Sequence, residues 1–146
     1  TVPSGAEVPI EGIGGNSLEL VIEIESDQAS VFGVKVCVSP DGEEETSIFY
    51  DASEGKLKVD TRKSGPEDTP KTVEAAPFEL EKGERLKLRI FVDKSVVEVF
   101  ANSRQAVMRR IYPSRADSVG VRLFPTGGAT RVQTLKSWKI MPLNPY

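Results

Sequence analysis

The chain has 146 residues, 38% hydrophobic and 28% charged, with a formal net charge of −3 and no histidine. That length suits one domain, which buries about two-thirds of the surface its unfolded chain would expose. The charge balance offers no basic surface for nucleic acid, no apolar run approaches the roughly 20 residues of a membrane helix, and the lone Cys37 excludes an internal disulfide.

Thr1 to Gly15, TVPSGAEVPIEGIGG, is punctuated by Pro and Gly and lacks the charged and apolar regions of a signal peptide. It reads as a linker-like lead-in to a single domain over 16–146, and the chain as a domain excised from a longer protein; it leaves the compartment open. Ser17 to Glu25 then alternates, with Leu18, Leu20, Ile22 and Ile24 on one face and Glu19, Glu23 and Glu25 on the other. In Val31 to Val38, Phe32, Val34, Val36 and Val38 face one way and Lys35 and Cys37 the other. Ser39-Pro40-Asp41-Gly42 is a turn, because Pro presets φ and Gly supplies positive φ. Ser47 to Tyr50 and Lys56 to Thr61 form a hairpin around Ala52-Ser53-Glu54-Gly55, and Lys63 to Thr72 is a polar surface loop. Phe78 to Leu80 is a short strand candidate before the Lys82-Gly83 turn.

Leu86 to Pro113 reads as three strands joined by minimal turns. Leu86, Leu88, Ile90 and Val92 alternate with Lys87, Arg89 and Phe91, Asp93-Lys94 reverses the chain, and Val96 to Ala101 returns. Asn102-Ser103-Arg104 makes the next reversal, and Gln105 to Tyr112 is ended by Pro113, which has no N–H for a ladder. Val119 to Phe124 and Arg131 to Met141 follow, separated by Thr126-Gly127-Gly128. No window carries a helical period. About ten short strands with regular turns predict an all-β fold, a two-sheet antiparallel β-sandwich.

The runs FVDKSVVEVFAN, RRIYP and SVGVRLFPTGG resemble the C-terminal β-sandwich domain of glycoside hydrolase family 32, the invertases, inulinases and levanases. FGVKVCVSPDGEEETSIFYD, KLKVDTRKSG and the terminal LKSWKIMPLN extend the resemblance from about Asn16 to Asn144. One departure falls at the Asn102 hairpin, where the family usually has Gly and this chain has Ser103. The resemblance implies a concanavalin- or galectin-like sandwich and a parent protein that is a retaining β-fructosidase. It also implies that the catalytic groups lie on W-x-N-D-P-N, R-D-P and E-C motifs of an N-terminal five-bladed propeller, absent from this chain.

Glycoside hydrolysis needs an acid and a carboxylate about 5–5.5 Å apart in retaining enzymes. None of the three motifs occurs here: Cys37 follows Val36, and Arg115-Ala116-Asp117 lacks the Pro of R-D-P. Glu43-Glu44-Glu45 reads as a solvated hairpin tip, Asp41-Gly42-Glu43 lacks calcium-loop spacing, and Cys37 reads as a passive thiol. No catalytic residue, metal site or cofactor is expected. Six residues remain as candidates for a domain interface or a sugar contact. Phe49, Phe91 and Phe124 fall on the strand phase opposite the aliphatic set, and Arg109, Arg110 and Tyr112 close the central meander. Arg109 and Arg110 straddle a strand, so one is expected to pair with Glu98 and the other to reach solvent. Trp138, two residues before Ile140, is expected in the core.

Two readings follow. In the first, the chain is a non-catalytic accessory domain that stabilises and packs against the propeller of the same protein. In the second, it is a lectin-like module that binds fructan or another oligosaccharide. Neither involves nucleic acid or a membrane, and a homodimer is compatible with both.

Overall fold

The computed structural model describes residues 1–66 and 71–139. It contains eleven strands: β1 (Val8–Pro9), β2 (Ser17–Asp27), β3 (Val31–Val38), β4 (Thr46–Asp51), β5 (Lys56–Asp60), β6 (Val73–Pro77), β7 (Leu86–Asp93), β8 (Val96–Ala101), β9 (Gln105–Arg110), β10 (Gly120–Thr126) and β11 (Ala129–Lys139). They form a six-stranded sheet, β1-β10-β3-β4-β5-β6, and a five-stranded sheet, β11-β2-β7-β8-β9, antiparallel throughout. The alternating aliphatics meet between the sheets. Leu20 on β2, Ile90 on β7 and Val99 on β8 lie side by side and fully buried, and Val34, Ile48 and Val59 do the same across the other sheet. Period-two patterning thus places one contiguous core, as in aligned sandwiches.

Four local features depart from the sequence reading. The lead-in is built into the sandwich: Val2 is buried and bridges Thr130, β1 pairs with β10, and Ile10 and Ile13 pack on the core. On β3, Val36 and Cys37 together oppose the single Val121, a bulge with Cys37 at φ 51°, so the thiol turns inward instead of sharing a face with Lys35. Burial pushes the Cys37 thiol up to about 12, with the nearby Glu44 charge adding to it. The strand expected at Phe78 to Leu80 lies earlier, at β6, an exposed edge without hydrophobic alternation; Phe78 is buried just beyond it. Glu44 and Glu45 are buried, not solvated. The expected last strand ends among the described residues at Lys139; Ile140 and Met141 lie outside them.

Gly33 sits on β3 between Phe49 of β4 and Phe124 of β10. A Cβ there would come within 2.0 Å of the Ile48 carbonyl oxygen. Gly33→Ala is therefore expected to lower stability by about 1–3 kcal/mol through forced separation of β3 and β4, read as a lower urea midpoint. In the β8–β9 hairpin both Asn102 and Ser103 have positive φ, 51° and 56°. The Asn102 side chain is tied down, accepting from the Lys87 N–H and donating to the Arg85 carbonyl. Ser103 is exposed and has no such compensation for its left-handed backbone. Ser103→Gly is expected to raise the urea midpoint, gaining up to about 1 kcal/mol as the Cβ strain is relieved.

Candidate functional site: the outer face of the five-stranded sheet

The inner phase of each strand is spent on the core, so chemistry is confined to the outer faces, the loops and the seams. On the outer face of the five-stranded sheet the register aligns side chains into rows. One row runs Trp138, Glu19, Phe91, Glu98, Met108 across β11, β2, β7, β8 and β9. The row toward the Asn102 hairpin runs Lys136, Val21, Arg89, Phe100, Ala106. On the other side, Val96 of β8 lies beside Arg110 of β9.

Met108 is 67% exposed and Trp138 50% exposed, the two most exposed large apolar side chains among the described residues. Phe91 and Phe100 meet edge to face, with centroids 6.1 Å apart, and the Arg89 guanidinium lies 5.3 Å from the Phe91 centroid. Arg89 is fixed by Glu19 at 2.6 Å, and Arg85 by Glu23 at 3.2 Å. Among the described residues, neither the Glu98 nor the Arg110 side chain has an ion-pair or hydrogen-bonding partner. The runs V-E-V-F and R-R-I-Y-P thus converge in space, with Glu98, Phe100 and Arg110 on one face.

The six candidate residues do not form one surface. Phe91 and Arg110 lie on this face. Phe49 and Phe124 lie on the outer face of the opposite sheet, edge to face over Gly33 at 6.0 Å. Lys35 stands 5.2 Å from the Phe124 centroid and is held by Glu7 of the lead-in and by Glu45, at 3.0 and 2.9 Å. Both rings are half-buried. Arg109 does not pair with Glu98. It points to the seam between β9 and β6, where its Nη2 donates to Thr72 Oγ1 at 2.7 Å and its Nη1 lies 3.8 Å from Glu74. It falls on the inner phase opposite Val97, so only the open seam admits its charge. Tyr112 leaves the sheet after β9 and lines a groove of about 570 Å³ at the end of the sandwich, with Asn16, Lys94 and Pro113. Trp138 is no core residue, since its pairing with Glu19 puts it on the outer phase.

The remaining carboxylates serve structure. Glu44 accepts from four donors of the 114–118 loop: Ser114 N and Oγ, Arg115 N and Ser118 Oγ. Burial raises its pKa, but the Ser118 and Ser114 hydroxyls and the two backbone N–H groups outweigh this and hold it below the ordinary value. Arg115 is shared between Asp117 and Asp41, at 2.8 and 2.7 Å, so the R-A-D fragment is turn chemistry. Among the described residues no cluster of His, Cys, Asp or Glu could hold a metal ion.

The face therefore presents two exposed apolar side chains, two unpaired charges of opposite sign and a set of fixed ion pairs. Met108, Glu98 and Phe100 were not among the candidate residues read from sequence, and Trp138 was assigned to the core. For Glu98 and Phe100 a signal existed, because they alternate with the aliphatic Val97 and Val99.

The two packed antiparallel sheets define a β-sandwich domain. The model of the family described as "Glycosyl hydrolases family 32 C terminal" matches residues 2–139. The chain belongs to glycoside hydrolase family 32, as its C-terminal domain. It is 34% identical over 145 residues to a levanase of Bacillus subtilis (strain 168), matching 92% of this chain and 20% of that protein. The chain thus spans about a fifth of that relative's length. A fructosyltransferase structure from A. japonicus superposes with a TM-score of 0.84 at 23% identity, covering 95% of this chain and 25% of that one. The galectin LEC-6 of Caenorhabditis elegans shares the fold at a TM-score of 0.68 and 11% identity, over 94% of this chain and 91% of its own.

Proposed function

We propose that this domain serves a fructoside-cleaving hydrolase by docking on its N-terminal catalytic propeller through the Trp138–Met108 row and the adjoining Arg110. It contributes packing surface and no catalytic group. In the family's enzymes the C-terminal domain belongs with an N-terminal catalytic domain, and the observation that carries the choice of face is Met108, 67% exposed beside unpaired Glu98 and Arg110. Exposed apolar side chains rimmed by unpaired charge are what a domain interface draws on.

The isolated chain is expected to give no turnover on sucrose, inulin or levan. Met108→Glu tests the docking: it is expected to lower the melting temperature of the chain joined to the catalytic domain and to leave that of the isolated chain unchanged. An equal effect on both would contradict the proposal.

A further inference from the structure

An unpaired sheet edge is a row of backbone donors and acceptors that another strand can take up. Three of the four edges here are closed or short. β6 and β9 face each other across the seam that Arg109 and Thr72 bridge, and β1 is two residues long and ends in Pro9. The fourth edge, β11, runs 11 residues without proline or acid. Among the described residues its open side is bridged only at Thr130, by Val2, and Ser137, Trp138 and Lys139 are exposed. We infer that β11 pairs with β11 of a second copy of this chain, antiparallel about a two-fold axis at Ser137, joining two five-stranded sheets edge to edge.

The direction of the backbone decides which residues can pair. Just before β2 the Asn16 carbonyl accepts from the Lys94 N–H, toward β7. Near the start of β11, Thr130 exchanges both of its backbone bonds with Val2, toward the open side. Strand alternation carries the two directions along consistently: Leu18, Leu20 and Ile22 turn their N–H and C=O toward β7, and their partners Lys139, Ser137 and Leu135 turn theirs to the open edge. A copy centred on Ser137 engages all three. Ser137 exchanges bonds with its own equivalent, and Leu135 with Lys139 of the second copy. Between them Lys136 lies beside Trp138 of the second copy, so no like charges are opposed and the ammonium gains an indole. Other centres do worse. An axis at Lys136 sets that charge against itself, one at Leu135 runs the pairing into the bulge at Gln133, and one at Trp138 engages only Ser137 and Lys139. The occupant is a second copy because this pairing closes: it consumes both open edges and the others are closed or short, so growth stops at two. The contact lies in the plane of the sheet and leaves Met108 on the outer face free.

The inference does not require docking, and its test uses the chain alone. Sedimentation over a range of concentrations is expected to show a monomer–dimer equilibrium. Ser137→Pro removes an N–H that faces away from β2, so the urea midpoint is expected to hold, while the dimer weakens roughly tenfold or more as the bonds at the axis are lost. Mild oxidation of Ser137→Cys is expected to give a covalent dimer, because residues that exchange bonds across the axis lie about 5.5 Å apart, within disulfide reach. Lys139→Cys is the control, since its two equivalents stand roughly 13 Å apart along the strands, and the native Cys37 is buried. Should Ser137→Pro misfold, the two cysteine variants decide alone. A chain that stays monomeric at its highest soluble concentration would overturn the inference, as would a dimer that a folded Ser137→Pro leaves intact or one that crosslinks equally through Lys139→Cys. Met108→Glu is expected to leave the dimer unchanged; dissociation by it would show that the outer face, not the edge, joins the copies.

Discussion

Ile90→Ala is expected to lower the unfolding free energy by about 2–5 kcal/mol, read from the urea midpoint at unchanged slope. Ile90 is fully buried at the centre of β7, flanked by Leu20 on β2 and Val99 on β8. Truncation removes its transfer energy and leaves a cavity that two paired neighbours cannot collapse into. Trp138→Ala removes a larger side chain but is expected to change stability by less than about 1 kcal/mol, since half of the ring already meets water on an edge strand. Lys94→Ala, at the exposed β7–β8 turn, should stay within about 0.5 kcal/mol. Equal midpoints for the three variants would mean that the strand phase is misassigned.

Glu44→Ala is expected to destabilise by about 3 kcal/mol. The substitution leaves the donors of Ser114, Arg115 and Ser118 without their shared acceptor, and buried donors cost about 1–3 kcal/mol each before relaxation. The same carboxylate predicts a pH dependence. Its folded pKa is depressed relative to the ordinary 4.5. Its contribution is therefore complete above that value and is lost as pH falls through the folded-state pKa. Urea midpoints taken from pH 7 down to pH 3 should fall more steeply for the wild type than for Glu44→Gln. Parallel profiles would show that Glu44 carries none of the acid sensitivity.

The amphipathic strands were legible in the sequence because alternation is a backbone property. Once Leu20, Ile90 and Val99 are assigned inward, two sheets and a core follow. What escaped depended on register. The bulge at Val36 and Cys37 inserts one residue, inverts the phase and buries a thiol that alternation places outside. Glu44 looked like a hairpin tip because its partners lie 70 or more residues away, at Ser114 and Ser118. Trp138 looked like core because its own strand alternates weakly; only its pairing with Glu19 fixes its side. The lead-in hid its strand for a related reason: Val8–Pro9 is two residues long and its partner is remote. Of the residues singled out in the sequence, Phe91 and Arg110 lie on the outer face of the five-stranded sheet, whereas the division of the phenylalanines between opposite faces needed the sheet order.

Met108 and Trp138 supply their own probes for the docking face, since thioether and indole both oxidise readily when exposed. Hydroxyl-radical footprinting, read by mass spectrometry, compares the isolated chain with the chain joined to its catalytic domain. The account predicts rapid oxidation of both residues in the isolated chain and strong protection of both in the joined protein, with the outer face at Phe49 and Phe124 unchanged. Equal oxidation of Met108 and Trp138 in the two forms would contradict it.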